Sequence, residues 1–554
     1  MKQTTHILVS LIATLSILVA GCSYQPAPED PPAATVIPQN PTEQPQPAPT
    51  MILEEPAPPR IWYDSSVPAA LRQQVKLPVG VELADKPEEA SLVLAAQRAD
   101  GATRWTYALA ASFPTLTDAV PLLDLLDLWR GRVPAGYQIP LGMAGDTLAA
   151  FEAVWGPPAP DAVQVLDADE MLPTAWEQPG ALFILPFEEL EPRWKVLRVD
   201  GMSPLDKEFD PREYPLGVWF DVTAADGQQS TAEVLLPATN RDPQKMTVVL
   251  MTGVTALVRA TAAKMEAQGM TFPGKDILPW FQSADLRHIS NEIAFSPDCP
   301  EPNPYQTSLI FCSQPEYIEL LEYVGANVIE LTGNHQIDWG HPAFDYTLNL
   351  YEELGMPYYA AGANAEEARK PLLIEHNGNK IAFIGCNPSG PEMVWATELF
   401  GGVAQCDFEW MQEEIRRLRR EGYLPIATMQ YFEYYTPDPR PWQVEDFQGL
   451  AEAGAVIVSG SQAHKPQAFD FYGSHFIHYG VGNLFFDQMD IPVVGTRQEF
   501  LDRHVIYDGR HISTELLTAM LEDYARPRPM TLEERQALLR EMFVESKWLP
   551  AQVP

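Results

Sequence analysis

Beyond Met246 the chain alternates between short apolar runs and amphipathic stretches. Residues 246–252, 328–332, 380–385, 424–429, 455–459 and 475–479 are β-branched and apolar on both faces, which predicts strands of sheets covered on both sides. Between them, residues 344–354, 408–421 and 441–453 carry apolar positions at helical spacing. Upstream, residues 91–95, 106–110 and 180–186 are again apolar runs, and residues 119–131 read as an amphipathic helix ending on Gly131. The alternation predicts an α/β fold in two parts, residues 60–240 and 245–515, with a helical extension over 516–554.

The first 59 residues follow neither pattern. Residues 1–22 start with Lys2, continue through an apolar core and end on Val19-Ala20-Gly21-Cys22. The core is short for a membrane span, and small residues before a cysteine mark a processing site. Residues 23–59 are dense in Pro, Ala, Gln and Glu, a composition that cannot bury enough apolar surface to offset ordering and that forms a semi-extended tether. The leader resembles a bacterial lipobox, which implies cleavage before Cys22, lipid on its sulfur, and attachment to the outer face of the cell membrane.

Of 554 residues, 46% are hydrophobic, enough for full-sized cores, but 75 Asp and Glu face 37 Lys and Arg, a formal charge of −38. That balance excludes non-specific nucleic-acid binding. Export makes disulfides plausible for the remaining cysteines, and the sequential pairs Cys299–Cys312 and Cys386–Cys406 each close one loop. No Cys-x-x-Cys spacing favours metal binding by them.

Candidate chemistry gathers where the apolar runs stop. The stops are Gly253-Val254, Ser290-Asn291-Glu292, Asn334-His335, Gln430 to Glu433, Gly460 to His464, Gly482-Asn483 and Asp487. Strand tips converging on one sheet edge are the usual site of open α/β folds. Tyr431, Tyr434, Tyr435 and Trp442 fall near the same edge, as a packed lid or as faces for a sugar or extended peptide. His475 and His478 point to opposite strand faces and form no pair.

Two resemblances follow from these motifs. Leu122 to Gly131, Leu185 to Leu190 and Lys195 to Gly201 are similar to phosphate-type extracytoplasmic solute-binding proteins. The ordered series Asn-Glu, Gly-Asn-His-x-x-Asp-x-Gly, Ala360-Ala-Gly-Ala-Asn364, Gly-Ser-Gln-Ala-His and Gly-Val-Gly-Asn-Leu-Phe-Phe-Asp-Gln resembles the CapA family of capsule and poly-γ-glutamate biosynthesis, itself similar to calcineurin-like metallophosphoesterases. The resemblance implies a four-layer α/β/β/α sandwich after a smaller α/β solute-binding-like part. It implies capsule or wall polymer, or other capsule-assembly proteins, as partners.

It also implies a metal site at the strand tips, from which this chain departs. Val254 stands where a carboxylate is expected, Gln430 where a histidine is expected, and Ser461 and Gln462 precede His464. Glu292, Asn334, His335 and His464 remain as donors for one divalent ion, Mn, Mg or Zn, and not for a bridged pair. Asn291, Gln430, Gln462, Asn483 and Asp487 are left as ligand-binding candidates; Asp487 either braces a ligand histidine or caps a turn. Three readings stay open: a metal-dependent hydrolase or transferase with Glu292, Asn334 and His335 catalytic, a metal-free or one-metal binding site for a solute or wall polymer, and a structural cluster.

Overall fold

The computed structural model describes residues 58–551, except 139, 226–233 and 492. The leader, the Pro-rich tether and Cys22 therefore lie outside the described residues. From Pro58 the chain forms one compact unit, built among the described residues on three large sheets and one two-stranded pair, Ala361–Gly362 with Gly402–Val403.

Sheet I has ten strands from the N-terminal part, running from Glu82–Leu83 at one end of its main path to Val163–Val165 at the other, with Thr103–Ser112 near the middle. The amphipathic segment after Ala119 is a two-residue strand, then helix Leu122–Trp129. Pro121 separates them because its missing N–H suits a helix start. Gly131 follows the helix with φ +74°, a left-handed conformation that suits glycine.

Sheet II runs Tyr358–Tyr359, Val328–Glu330, Leu286–Asn291, Met246–Thr252, Gln498–Tyr507, Arg510–Glu522 and Arg526–Pro529, with Val254–Thr255 beside Leu286–Asn291. Its first strands are parallel and its last antiparallel. Residues 516–522 and 526–529 are thus strands, where the sequence pattern suggests a helical extension. Pairing with strand Gln498–Tyr507 and with each other decides these residues, and the edge strand tolerates Pro527 and Pro529. Among the described residues of the extension, Leu532–Glu545 is the helix, opened by a capping box between Thr531 and Glu534.

Sheet III runs Leu372–His376, Asn379–Cys386, Leu424–Gln430, Ile457–Ser461, His475–His478 and Phe469–Tyr472, parallel except at its edges. Sheets II and III pack face to face through Val249, Met251, Phe383, Ile426, Ile457 and Phe500. Outside sheet II, Ile289 and Ile329 pack against Leu320, Leu321, Phe344 and Leu348 of helices Ile318–Val324 and His341–Glu353. Outside sheet III, Ala427 and Val458 pack against Ile415, Phe447 and Leu450 of helices Phe408–Arg420 and Pro441–Ala453. The four layers expected from the sequence are present. Parallel strands of both sheets end at one edge, and most of the candidate residues lie there.

Candidate functional site

Glycine lets the strand tips approach each other. A Cβ on Gly333 would stand 2.3 Å from the Glu292 carbonyl oxygen, and one on Gly253 would stand 2.1 Å from that of Gly482. Neither position accepts a side chain without moving backbone.

Across this gap a hydrogen-bond chain joins the sheets. The Gln430 amide donates to Glu292 Oε1 at 2.8 Å. Its Oε1 accepts from the Asn334 backbone N–H at 2.5 Å and from Asn387 Nδ2 at 3.2 Å. Asn387 also donates to the Thr332 carbonyl at 2.8 Å. Glu292, Gln430 and Asn387 are buried, so each bond is worth more than it would be in water.

His335 projects beside this chain. Its Nδ1 lies 2.6 Å from Asp338 Oδ2, which also accepts from the Phe311 backbone N–H at 2.9 Å. Burial disfavours the charged ring, but the Asp338 bond and the charges of Glu292, Asp338 and Glu433 outweigh it and raise the His335 pKa above the ordinary histidine value. His464 Nδ1 meets Asn483 Oδ1 at 2.9 Å, and its other nitrogen lies 3.8 Å from Glu433 Oε1. Glu433 thus acts on both histidines. Tyr435 covers His464 at 5.5 Å between ring centroids, donates to Glu433 and accepts from Gln488 at 3.1 Å. Tyr435, Gln462 and His464 all have left-handed backbone, with φ of +49°, +77° and +51°. Such residues persist only where their surroundings enforce them, and they concentrate at binding sites.

Two expected residues stand elsewhere. Asn291 occupies the strand face opposite Glu292, donates to the Ile293 carbonyl at 2.8 Å, and takes no part in the chain. Strand alternation separates the two neighbours. Asp487 touches neither histidine. It receives Arg259 through two bonds, 3.2 and 2.5 Å, and the Ala260 N–H at 3.0 Å, at the start of helix Arg259–Gln268. Arg259 in turn lies over Phe311 and Phe486, each 5.1 Å from the ring centroid, and those rings contact His335 and His464.

Asn387 and Arg259 escape sequence reading because their partners are distant in the chain, whereas Glu433 lies in a strand-tip run the sequence marks, without a role. Asp338 carried a signal, its place in His-x-x-Asp, without a role. Cys299 is bonded to Cys312 and Cys386 to Cys406. Phe311 and Asn387, next to two of those cysteines, are the residues their loops bring to the site.

The donor set does not fit a metal centre. Val254 is wholly buried among Ala256, Val258, Ile293, Phe311 and Phe486, an apolar pocket where the resemblance expects a carboxylate. Among the described residues no three His, Cys, Asp or Glu side chains gather as metal ligands. Glu292, Asn334, His335 and His464 therefore do not form the expected one-ion cage. The same region instead holds acceptors without partners: Asn334 Oδ1 and Gln462 Oε1 are buried and hydrogen-bond to nothing among the described residues, as is the Ser461 hydroxyl. Such atoms call for donors.

Residues 248–488 match the family model for the bacterial capsule synthesis protein PGA_cap. The capsule biosynthesis protein CapA of Bacillus anthracis is 23% identical over 263 residues, 46% of this chain and 63% of that one. The chain thus spans less than two thirds of that relative. A calcineurin-like phosphoesterase from Bacillus subtilis is similar over 55% of this chain and 99% of its own, at 14% identity and TM-score 0.32. A phosphate transport receptor from Vibrio cholerae is similar over 27% and 75%, at 12% identity and TM-score 0.23.

Proposed function

Residues 248–488 form a CapA-family domain, and from that premise we propose that the chain serves capsule-polymer assembly outside the membrane, held there by a lipid on Cys22. Its strand-tip site binds the polymer, an anionic polyamide such as poly-γ-glutamate, without a metal pair. Capsule-assembly proteins and the membrane are the remaining partners of this reading.

The observation that carries it is the pairing of orphaned acceptors with an imidazole whose protonation its neighbours favour. Asn334 Oδ1 and Gln462 Oε1 suit polyamide N–H groups. His335, favoured in its charged form by Asp338, Glu292 and Glu433, suits a pendant carboxylate. In a chain of net charge −38, a polyanion needs a local proton donor of this kind. Tyr435 roofs the cluster, so entry requires the segment after Gln430 to move.

Calorimetric titration of the full chain with γ-linked and α-linked glutamate oligomers of equal length tests the reading. The γ-linked oligomer is expected to bind, and Asn334→Ala or Gln462→Ala to weaken it about tenfold, as loss of one buried hydrogen bond implies. Equal binding of both linkages, or none, overturns it. So does metal-dependent cleavage of the oligomer that disappears in Glu292→Ala. For the anchor, Cys22→Ala should release the chain from the membrane fraction; retention there would refute lipidation.

A further inference from the structure

Away from the strand tips, a cavity of ≈ 260 Å³ lies between sheet I, strand Arg510–Glu522 and helix Leu532–Glu545. Phe113, Leu205, Trp280, Leu516, Leu539 and Phe543 give it apolar walls. Lys195, Arg198, Arg535, Asp118 and Glu515 form its polar end.

The polar end does not balance. Asp118 receives Lys195 at 2.7 Å and both arms of Arg535 at 2.7 and 2.9 Å. Arg198 holds Asp206 through two bonds of 2.8 Å and reaches Glu515 at 3.4 Å, and Glu515 also accepts from Arg503 at 3.1 Å. The cations Lys195, Arg198, Arg503 and Arg535 thus share the carboxylates of Asp118, Asp206 and Glu515, which leaves one positive charge over. The side chains of Lys195 and Arg535 are only 15% and 16% exposed. Charge removed from water without a full partner is unfavourable. Lys195 shows the strain: burial lowers its pKa, Asp118 draws it back up and Arg535 lowers it again, to about 8. Two of its three N–H groups are taken, by Asp118 and by the Thr115 carbonyl at 2.7 Å. The third has no acceptor among the described residues.

We propose that this cavity binds a small amphipathic monoanion, a carboxylic acid with a short apolar body. The carboxylate completes the Lys195 and Arg535 cluster, and the body fills the space between the aromatic and aliphatic walls. The cavity is too small for a polymer or a long acyl chain, so the ligand is a short acid taken from solution. This site is separate from the strand tips and does not depend on the polymer reading.

Equilibrium dialysis of the full-length chain against labelled octanoate, 1-octanol and palmitate tests it, alongside Lys195→Met and the cavity-filling Leu517→Trp. Subtracting uptake by Leu517→Trp removes uptake elsewhere on the chain. Octanoate should bind saturably to the wild type, and at least tenfold more weakly to both variants. Octanol binding should be weaker at the outset and unchanged by Lys195→Met. If that variant fails to fold, the octanoate to octanol ratio on the wild type and the Leu517→Trp comparison carry the test. Octanoate uptake that is absent, or equal in wild type and Leu517→Trp, overturns the proposal. Palmitate binding as tight as octanoate does the same.

Discussion

At the scale of single residues, the site's charge state is set by partners three residues or one sheet away. His335 has a raised pKa in the fold, so its contribution to stability is complete below the unfolded value of about 6.5 and fades as pH rises through the folded value. Asp338→Asn removes that contribution. The variant should therefore lose more stability at acid pH than at mildly alkaline pH, and the His335 ring proton signals should titrate at lower pH than in the wild type. Urea unfolding at two pH values, with an NMR titration, reads both; an unmoved His335 pKa would refute the Asp338 assignment. Val254 supplies a second test. An aspartate there would be charged inside an apolar pocket, so Val254→Asp should destabilise by about 3 kcal/mol. Millimolar Mn²⁺ should not restore the melting temperature, because the surrounding donors do not converge on an ion. Full rescue would mean that a metal site is latent in this fold.

Elements show why part of this was legible in the sequence. Strands such as Met246–Thr252 and Leu424–Gln430 are apolar on both faces and locally bounded, so their existence and the layered fold could be read directly. The short strands Glu82–Leu83 and Ala119–Val120 exist only through pairing with distant partners, which no local pattern records. The same limit applies to the site. Gly333, Asn334 and His335 announce a strand tip, whereas the Gln430 bridge from Glu292 to Asn334 spans 138 and 96 positions of chain. Sequence adjacency to Glu292 does not bring Asn291 into the hydrogen-bond chain, because neighbours on extended backbone point to opposite sides. The two disulfides close loops whose ends are 13 and 20 positions apart. In the chain-entropy account, a loop of this size stabilises by roughly 3 kcal/mol. Replacing Cys386 and Cys406 together by serine should cost about that much in denaturant unfolding. It should also weaken polymer binding, since Asn387 follows Cys386 and holds Thr332 and Gln430. The Cys299 and Cys312 pair should have a similar effect on stability but act on His335 through Phe311. A stability loss well under 1 kcal/mol in both would show that the unfolded loops are already constrained.

Over the whole molecule, sheet I and sheet II share one core. Ala108, Phe183, Leu185 and Trp194 belong to the same buried cluster as Met246, Leu250 and Tyr507. Phe187 meets Tyr507 edge to face at 5.0 Å, and the Tyr507 hydroxyl donates to the Asn240 carbonyl at 3.0 Å while accepting from the Asp242 N–H at 2.9 Å. The segment that joins the two parts is therefore pinned on both sides by one aromatic residue. The ion pairs of Arg535 with Asp118 and of Arg198 with Glu515 add links across the same boundary. Parts coupled through a continuous apolar core unfold together, whereas parts joined by a linker unfold in turn. Calorimetry of the full chain should accordingly give a single cooperative transition, with van't Hoff and calorimetric enthalpies in agreement. Tyr507→Ala deletes a buried ring and two hydrogen bonds, a loss of about 4 kcal/mol. If the coupling is as tight as the shared core implies, that substitution should lower the melting temperature and begin to split the transition in two. Two separate transitions in the wild type, with only one moved by Tyr507→Ala, would show instead that the N-terminal sheet is an independent unit that merely rests on its neighbour.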